Sequence, residues 1–148
     1  MADLLVVYGI EMSINTAASQ ESPIWAVIGE GFNNLAEALN EVVQQYFFLN
    51  DKGYARNFVT GMAPVYTLSG VRVLGDAAQE YIFGTARKFG LMADRNTQIK
   101  ITRRAASGQT ETITCDCTLC NVTDSGGGTT DGSAVSVEIR LNGKPTVE

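Results

Sequence analysis

Two long stretches near the C-terminus alternate apolar and polar residues with strict regularity. Ile113, Cys115, Cys117 and Leu119 fall on one side, opposite Thr112, Thr114, Asp116 and Thr118. Val135, Val137, Ile139 and Leu141 fall on another, opposite Ser136, Glu138, Arg140 and Asn142. Ile99 and Ile101 alternate in the same way with Lys100 and Thr102. Successive side chains of a strand point to opposite faces, so this pattern predicts strands with one buried face. The run Ser125-Gly126-Gly127-Gly128-Thr129-Thr130-Asp131-Gly132 predicts a flexible loop between the two long strands. Asn142-Gly143-Lys144-Pro145 predicts the end of the last one.

Upstream, Leu4 to Ile10 predicts a first strand, Asn15 to Pro23 a loop, and Ile24-Trp25-Ala26-Val27-Ile28 a short strand closed by Gly29 and Gly31. Asn33 to Leu49 is ambiguous. Leu35, Leu39, Val42, Val43 and Tyr46 fit a helical stripe, yet Val42-Val43 and Tyr46-Phe47-Phe48-Leu49 are good strand formers. A helical turn at Leu35 to Leu39 followed by a hairpin over Asn40 to Thr60, with its tip at Asp51 to Gly53, accounts for both. A helix running through Tyr46 is the alternative. Val65 to Leu68 and Val71 to Leu74 predict two strands separated by Ser69-Gly70.

Gly75-Asp76 opens the clearest helix. Asp76 is a good N-cap and Gln79 stands where a capping box needs it. Ala78, Tyr81, Ile82, Ala86 and Phe89 share one helical face, Arg87 and Lys88 suit the C-terminal end, and Gly90 is a natural C-cap. Gly84 costs about 1 kcal/mol inside a helix, which a close backbone contact would explain. Arg72 and Asp76 form either an ion pair anchoring strand to helix or two separate exposed charges. The sum is a mainly β, antiparallel sandwich or barrel with one packed α-helix, expected as a single domain over residues 1–148.

The chain contains no histidine, so Ser-His and Cys-His nucleophilic pairs and histidine-bound zinc are ruled out. Cys115, Cys117 and Cys120 lack a fourth ligand for a closed metal site, and the first two sit on an apolar strand face. Small buried hydrophobes in a reducing compartment are the better reading. The glycine-rich loop lacks the Lys-Ser or Lys-Thr of a phosphate loop. No catalytic residue, cofactor or metal is expected.

The net charge of -5 gives no non-specific attraction to nucleic acid. All seven charged residues from Met1 to Asp51 are acidic, and Lys52 is the first base. This asymmetry marks either a solvated acidic face or a surface that meets something charged. No segment has the ~18 apolar residues of a membrane span, and no membrane binding is expected. Met1-Ala2-Asp3 lacks the basic start of a signal peptide, which predicts synthesis in a cytoplasm.

The order of these features resembles the major tail tube protein of long-tailed bacteriophages and of phage-derived tube particles. The residues that carry the resemblance are Ile24-Trp25 near a glycine-rich turn, Phe58-Val59-Thr60-Gly61, and above all Ser69-Gly70-Val71-Arg72-Val73-Leu74-Gly75-Asp76-Ala77-Ala78-Gln79-Glu80-Tyr81-Ile82. The C-terminal loop and alternating strand also fit. The resemblance implies two packed antiparallel sheets with a helix alongside. It implies homo-hexameric rings whose sheets join into a β-lined channel, and stacking of those rings through a long hairpin and the termini. Here that hairpin's tip would be Asp51, Lys52, Gly53 and Tyr54. Arg72, Gly75 and Asp76 would form the strand-helix joint or a subunit boundary. Implied partners are further copies, tape-measure, tail terminator and baseplate or tail-tip proteins, a sheath protein if the tail contracts, and DNA in transient passage. The implied location is the virion tail, after assembly in the host bacterial cytoplasm. An inner tube of a contractile bacteriocin or secretion device fits the same pattern. A monomeric β-barrel that binds a small ligand is the rival of another class.

Overall fold

The computed structural model describes residues 2–17 and 21–148. Its nine strands are β1 (Ile10–Asn15), β2 (Trp25–Ile28), β3 (Phe32–Ala38), β4 (Val42–Tyr46), β5 (Arg56–Gly61), β6 (Val65–Val71), β7 (Asn96–Arg104), β8 (Thr110–Thr123) and β9 (Ala134–Val147). Two short helices, α1 (Ala77–Ile82) and α2 (Thr85–Lys88), lie between β6 and β7. Seven strands form one antiparallel sheet in the order β2-β1-β7-β8-β9-β6-β3, and β4-β5 form a separate ribbon. The two edge strands, β2 and β3, are joined by only Gly29, Glu30 and Gly31. A sheet whose opposite edges are so closely tethered has to curl around its core.

The alternating stretches fold as the sequence predicts. Ile99 faces Cys115, Cys117 faces Leu141 and Leu119 faces Ile139 across the ladders, and these side chains are buried. Met12 and Ile14 of β1, Tyr66 and Leu68 of β6, and Ala78, Ile82 and Phe83 complete one core. A slip of one residue would turn every inward side chain outward, so burial fixes the register.

Several expectations are corrected. Leu4 to Val6 are exposed and outside any strand, and Val7–Gly9 is a 3-10 turn. Strand β1 begins only at Ile10. The expected helical turn at Leu35 to Leu39 is instead strand β3, paired with β6 from Phe32 to Ala38. Strand and helix both place residues i and i+4 on one face, so Leu35 and Leu39 could not separate them. Of the two strands expected over Val65 to Leu74, the first runs on through Gly70 to Val71 as β6, and Arg72 to Leu74 lie outside any strand. A Cβ at Gly70 would lie 2.0 Å from the Gly31 carbonyl oxygen, so this glycine marks a close backbone approach. Strand β9 does not end at Asn142 to Pro145: Gly143, at φ +87°, lets it bulge and continue to Val147.

The single helix expected over 76–89 breaks in two at Gly84. A Cβ there would meet the Glu80 carbonyl oxygen at 2.8 Å, the close backbone contact that explains the glycine. Beyond the break the expected apolar face is lost, and Ala86 and Phe89 are exposed. The glycine-rich loop is tied rather than loose. Ala134 donates to the Gly126 carbonyl, Ser133 Oγ to the Asp124 carbonyl, and the Gly128 amide to Asp131. Part of the polar loop expected over Asn15 to Pro23 lies outside the described residues.

Candidate assembly surfaces

Strands β3 and β4 run on through Leu39-Asn40-Glu41, and β5 runs into β6 through Met62-Ala63-Pro64. Asn40, at φ +50°, makes the kink and donates its side-chain amide to the Ala63 carbonyl. Beyond this kink the β4-β5 ribbon leaves the sheet. Every residue of β4, and every residue of β5 except Gly61, is exposed. Both faces are nevertheless apolar, with Val42, Val43, Tyr46, Phe58 and Val59. Tyr46 stacks on Phe48 at 5.7 Å and meets Phe58 edge-on at 6.0 Å.

The tip is built from Asp51, Lys52, Gly53 and Tyr54. A 3-10 turn over Leu49–Asp51 ends with Lys52 at φ +55° and Gly53 at φ +93°. Asp51 accepts two hydrogen bonds from Arg56, at 2.7 and 3.0 Å, and Arg56 lies over the Phe48 ring. This clamp neutralises Arg56 and leaves Lys52 without an ion pair among the described residues. Leu49 and Tyr54 flank it at 95% and 79% exposure.

The strand-helix joint is organised by Gln79, which the sequence places in a capping box. Asp76 caps α1 as expected, accepting from the Gln79 amide at 3.1 Å. The Gln79 side chain does not return to Asp76. It is fully buried, donates to the carbonyls of Glu30 and Val71 at 2.8 and 3.0 Å, and accepts from the Val73 amide at 2.8 Å. Arg72 Nη1 is a further donor to it at 3.3 Å. Every hydrogen-bonding site of the amide is thus used. One side chain pins the β2-β3 turn, the end of β6 and the start of α1 together. Burial of a polar side chain leaves no periodic trace, so pattern reading could not find it.

Arg72 does not pair with Asp76. It reaches Glu80 at 3.3 Å and Asp124 at 3.7 Å, because Asp76 is turned to the helix terminus. The Glu80 carboxylate accepts from the Gly75 amide at 2.9 Å, which holds it below the usual carboxylate range. Gly75 itself turns the chain at φ +90°. Asp124 also pairs with Lys88, and the Lys88 hydrogen bond is the main cause of its lowered pKa.

Cys115 and Cys117 are buried in the core, and burial pushes the Cys117 thiol up to about 12. A thiol so protonated at neutral pH is a poor nucleophile. Among the described residues no three His, Cys, Asp or Glu side chains stand close enough to hold a metal ion. No helix there is long and apolar enough to cross a membrane.

No protein-family model and no curated protein sequence matches the chain. Solved structures do. A chain from the tail of an empty GTA particle, determined with C6 symmetry, superposes with a TM-score of 0.67 at 10% identity over 98% of this chain and 99% of that one. The SPP1 tail tube, determined by solid-state NMR and cryo-EM, gives a TM-score of 0.65 at 13% identity over 97% of this chain and 78% of that one. From edge to edge of its curled sheet, this chain has the tail tube fold.

Proposed function

We propose that this chain is the structural subunit of a phage tail tube, with no catalytic role. Six copies close into a ring, and rings stack into a hollow tube that conducts DNA during ejection. The observation that carries this reading is the β4-β5 ribbon. It carries apolar residues on both faces and is exposed in every residue but Gly61, on a fold shared with tail tubes. A lone two-stranded ribbon is marginal in water, and contiguous exposed apolar surface marks an interaction site. A patch that differs from the surface it binds produces head-to-tail association, which closes into rings when the rotation between copies closes.

The tip at Asp51, Lys52, Gly53 and Tyr54 serves ring stacking, and Arg72, Gly75 and Asp76 hold the helix at a subunit boundary. The acidic balance suits a conduit, since an acidic wall does not retain phosphate. The remaining partners are tape-measure, tail terminator and tail-tip proteins, with a sheath if the tail contracts. Assembly takes place in the host bacterial cytoplasm. The rival monomeric ligand-binding barrel would need its centre for a ligand, and there Ile14, Ile99, Leu119, Val137 and Ile139 are fully buried core side chains.

Negative-stain microscopy and sedimentation of the purified protein at high concentration test the proposal. Rings or tubes with sixfold symmetry are expected. A protein that stays monomeric at every concentration overturns it.

A further inference from the structure

Nine asparagines occur in the chain, and Asn142 is the one followed by glycine. The pair sits where β9 bulges. Asn142 pairs with Asp116 and Thr146 with Thr114, so Gly143, Lys144 and Pro145 stand against Cys115 alone. A bulge leaves its extra residues out of the regular ladder. Gly143 turns the chain there at φ +87°, and a Cβ on it would meet nothing within 4 Å. Asn142 itself is exposed. The backbone nitrogen of Gly143 thus adjoins the Asn142 side-chain amide with no side chain of its own and open space around it.

The contacts of Asn142 tie β9 to β8. Its Nδ2 donates to Thr118 Oγ1 at 2.8 Å, and that hydroxyl donates to Asn96 Oδ1 at 2.9 Å. The carbonyl oxygens of Asn142 and Gly143 each lie 3.6 Å from Cys115 Sγ, and Cys115 is buried against them.

We propose that Asn142-Gly143 is a self-modifying site, at which loss of ammonia from Asn142 loosens the end of β9 from β8. The Gly143 nitrogen attacks Asn142 Cγ and forms a new C–N bond. The bond from Cγ to Nδ2 breaks, and the Gly143 amide proton leaves with Nδ2 as ammonia. Water then opens the resulting succinimide at either carbonyl, giving aspartate or isoaspartate. One water enters and one ammonia departs, with no oxidant or metal. The aspartate product is an anion opposite Asp116, and like charges directly across a ladder are unfavourable. It also puts an acceptor where Nδ2 was a donor, and the single Thr118 hydroxyl proton cannot serve both it and Asn96. Isoaspartate adds a carbon to the backbone at the bulge, which moves the two carbonyls away from Cys115.

Peptide mass mapping of the folded wild-type chain, aged in mildly alkaline buffer, tests the site. The amide-to-acid mass gain is expected first in the peptide that carries Asn142, with isoaspartate among the products, and Asn142→Gln loses it. Asn142→Asp supplies the aspartate product directly. Its thermal midpoint is expected about 2–4 °C below that of wild type, and its Cys115 reacts sooner with a maleimide. A folded chain that keeps Asn142 intact while the same chain in denaturant converts it overturns the site. So does a folded chain that converts Asn142 no faster than its other asparagines. An Asn142→Asp chain as stable as wild type, with Cys115 as well shielded, overturns the loosening of β9.

Discussion

The joint around Gln79 and the ribbon of β4 and β5 are opposites. At the joint a polar side chain is wholly buried and all its hydrogen bonds are made. In the ribbon, apolar side chains stand in water on both faces. The joint is complete within one chain; the ribbon is not. A polar group inside and an apolar surface outside both violate the usual partition, yet only the second leaves something for another molecule to do.

The contrast breaks most sharply at Gln79. Gln79→Leu would leave the Glu30 and Val71 carbonyls and the Val73 amide without partners. Each orphaned group costs about 1–3 kcal/mol, so a loss of at least roughly 3 kcal/mol in denaturant unfolding is expected. A loss below about 1 kcal/mol would mean the joint is not held by this side chain.

Asp124→Asn should cost about 1 kcal/mol, since it removes the negative charge that faces both Lys88 and Arg72. The pH dependence has a definite sign. The Asp124 pKa is lowered in the folded chain, so its contribution is full above the unfolded value near 3.9 and is lost as pH falls through the folded value. Wild type and variant should therefore converge in stability in acid below about pH 4 and separate above it, as unfolding curves across that range would reveal.

The smallest effect on stability belongs to the ribbon. Phe47→Ser, one residue past the end of β4, replaces an exposed aromatic side chain and should change monomer stability by no more than about 0.5 kcal/mol. Sedimentation should show loss of assembly all the same. A variant that unfolds the monomer would show that the ribbon is already packed within its own chain.

The strands β7, β8 and β9 were legible because one face of each is buried, which imposes strict alternation on Ile99, Cys115, Val137 and their neighbours. The hairpin tip was legible through Asn50-Asp51-Lys52-Gly53, whose backbone needs left-handed residues. Strand β3 was not, because its residues are exposed or only half-buried and burial enforces no pattern on them. The long helix was overread because its apolar periodicity continues past Gly84 while the backbone does not. The meeting of Met12, Phe32 and Leu68 was beyond reach, since they come together only once the sheet has curled.

The order of the sheet also sets a timetable. Pairing β1 with β7 and β6 with β9 joins residues far apart in the chain, and such closures are slow. The β4-β5 ribbon closes over a short loop and forms early. The apolar faces of the ribbon are thus exposed while the sheet that will carry it is still unfinished. Refolding yield should fall with protein concentration, and slow release from the ribosome gives each copy time to complete its sheet before its ribbon finds a neighbour.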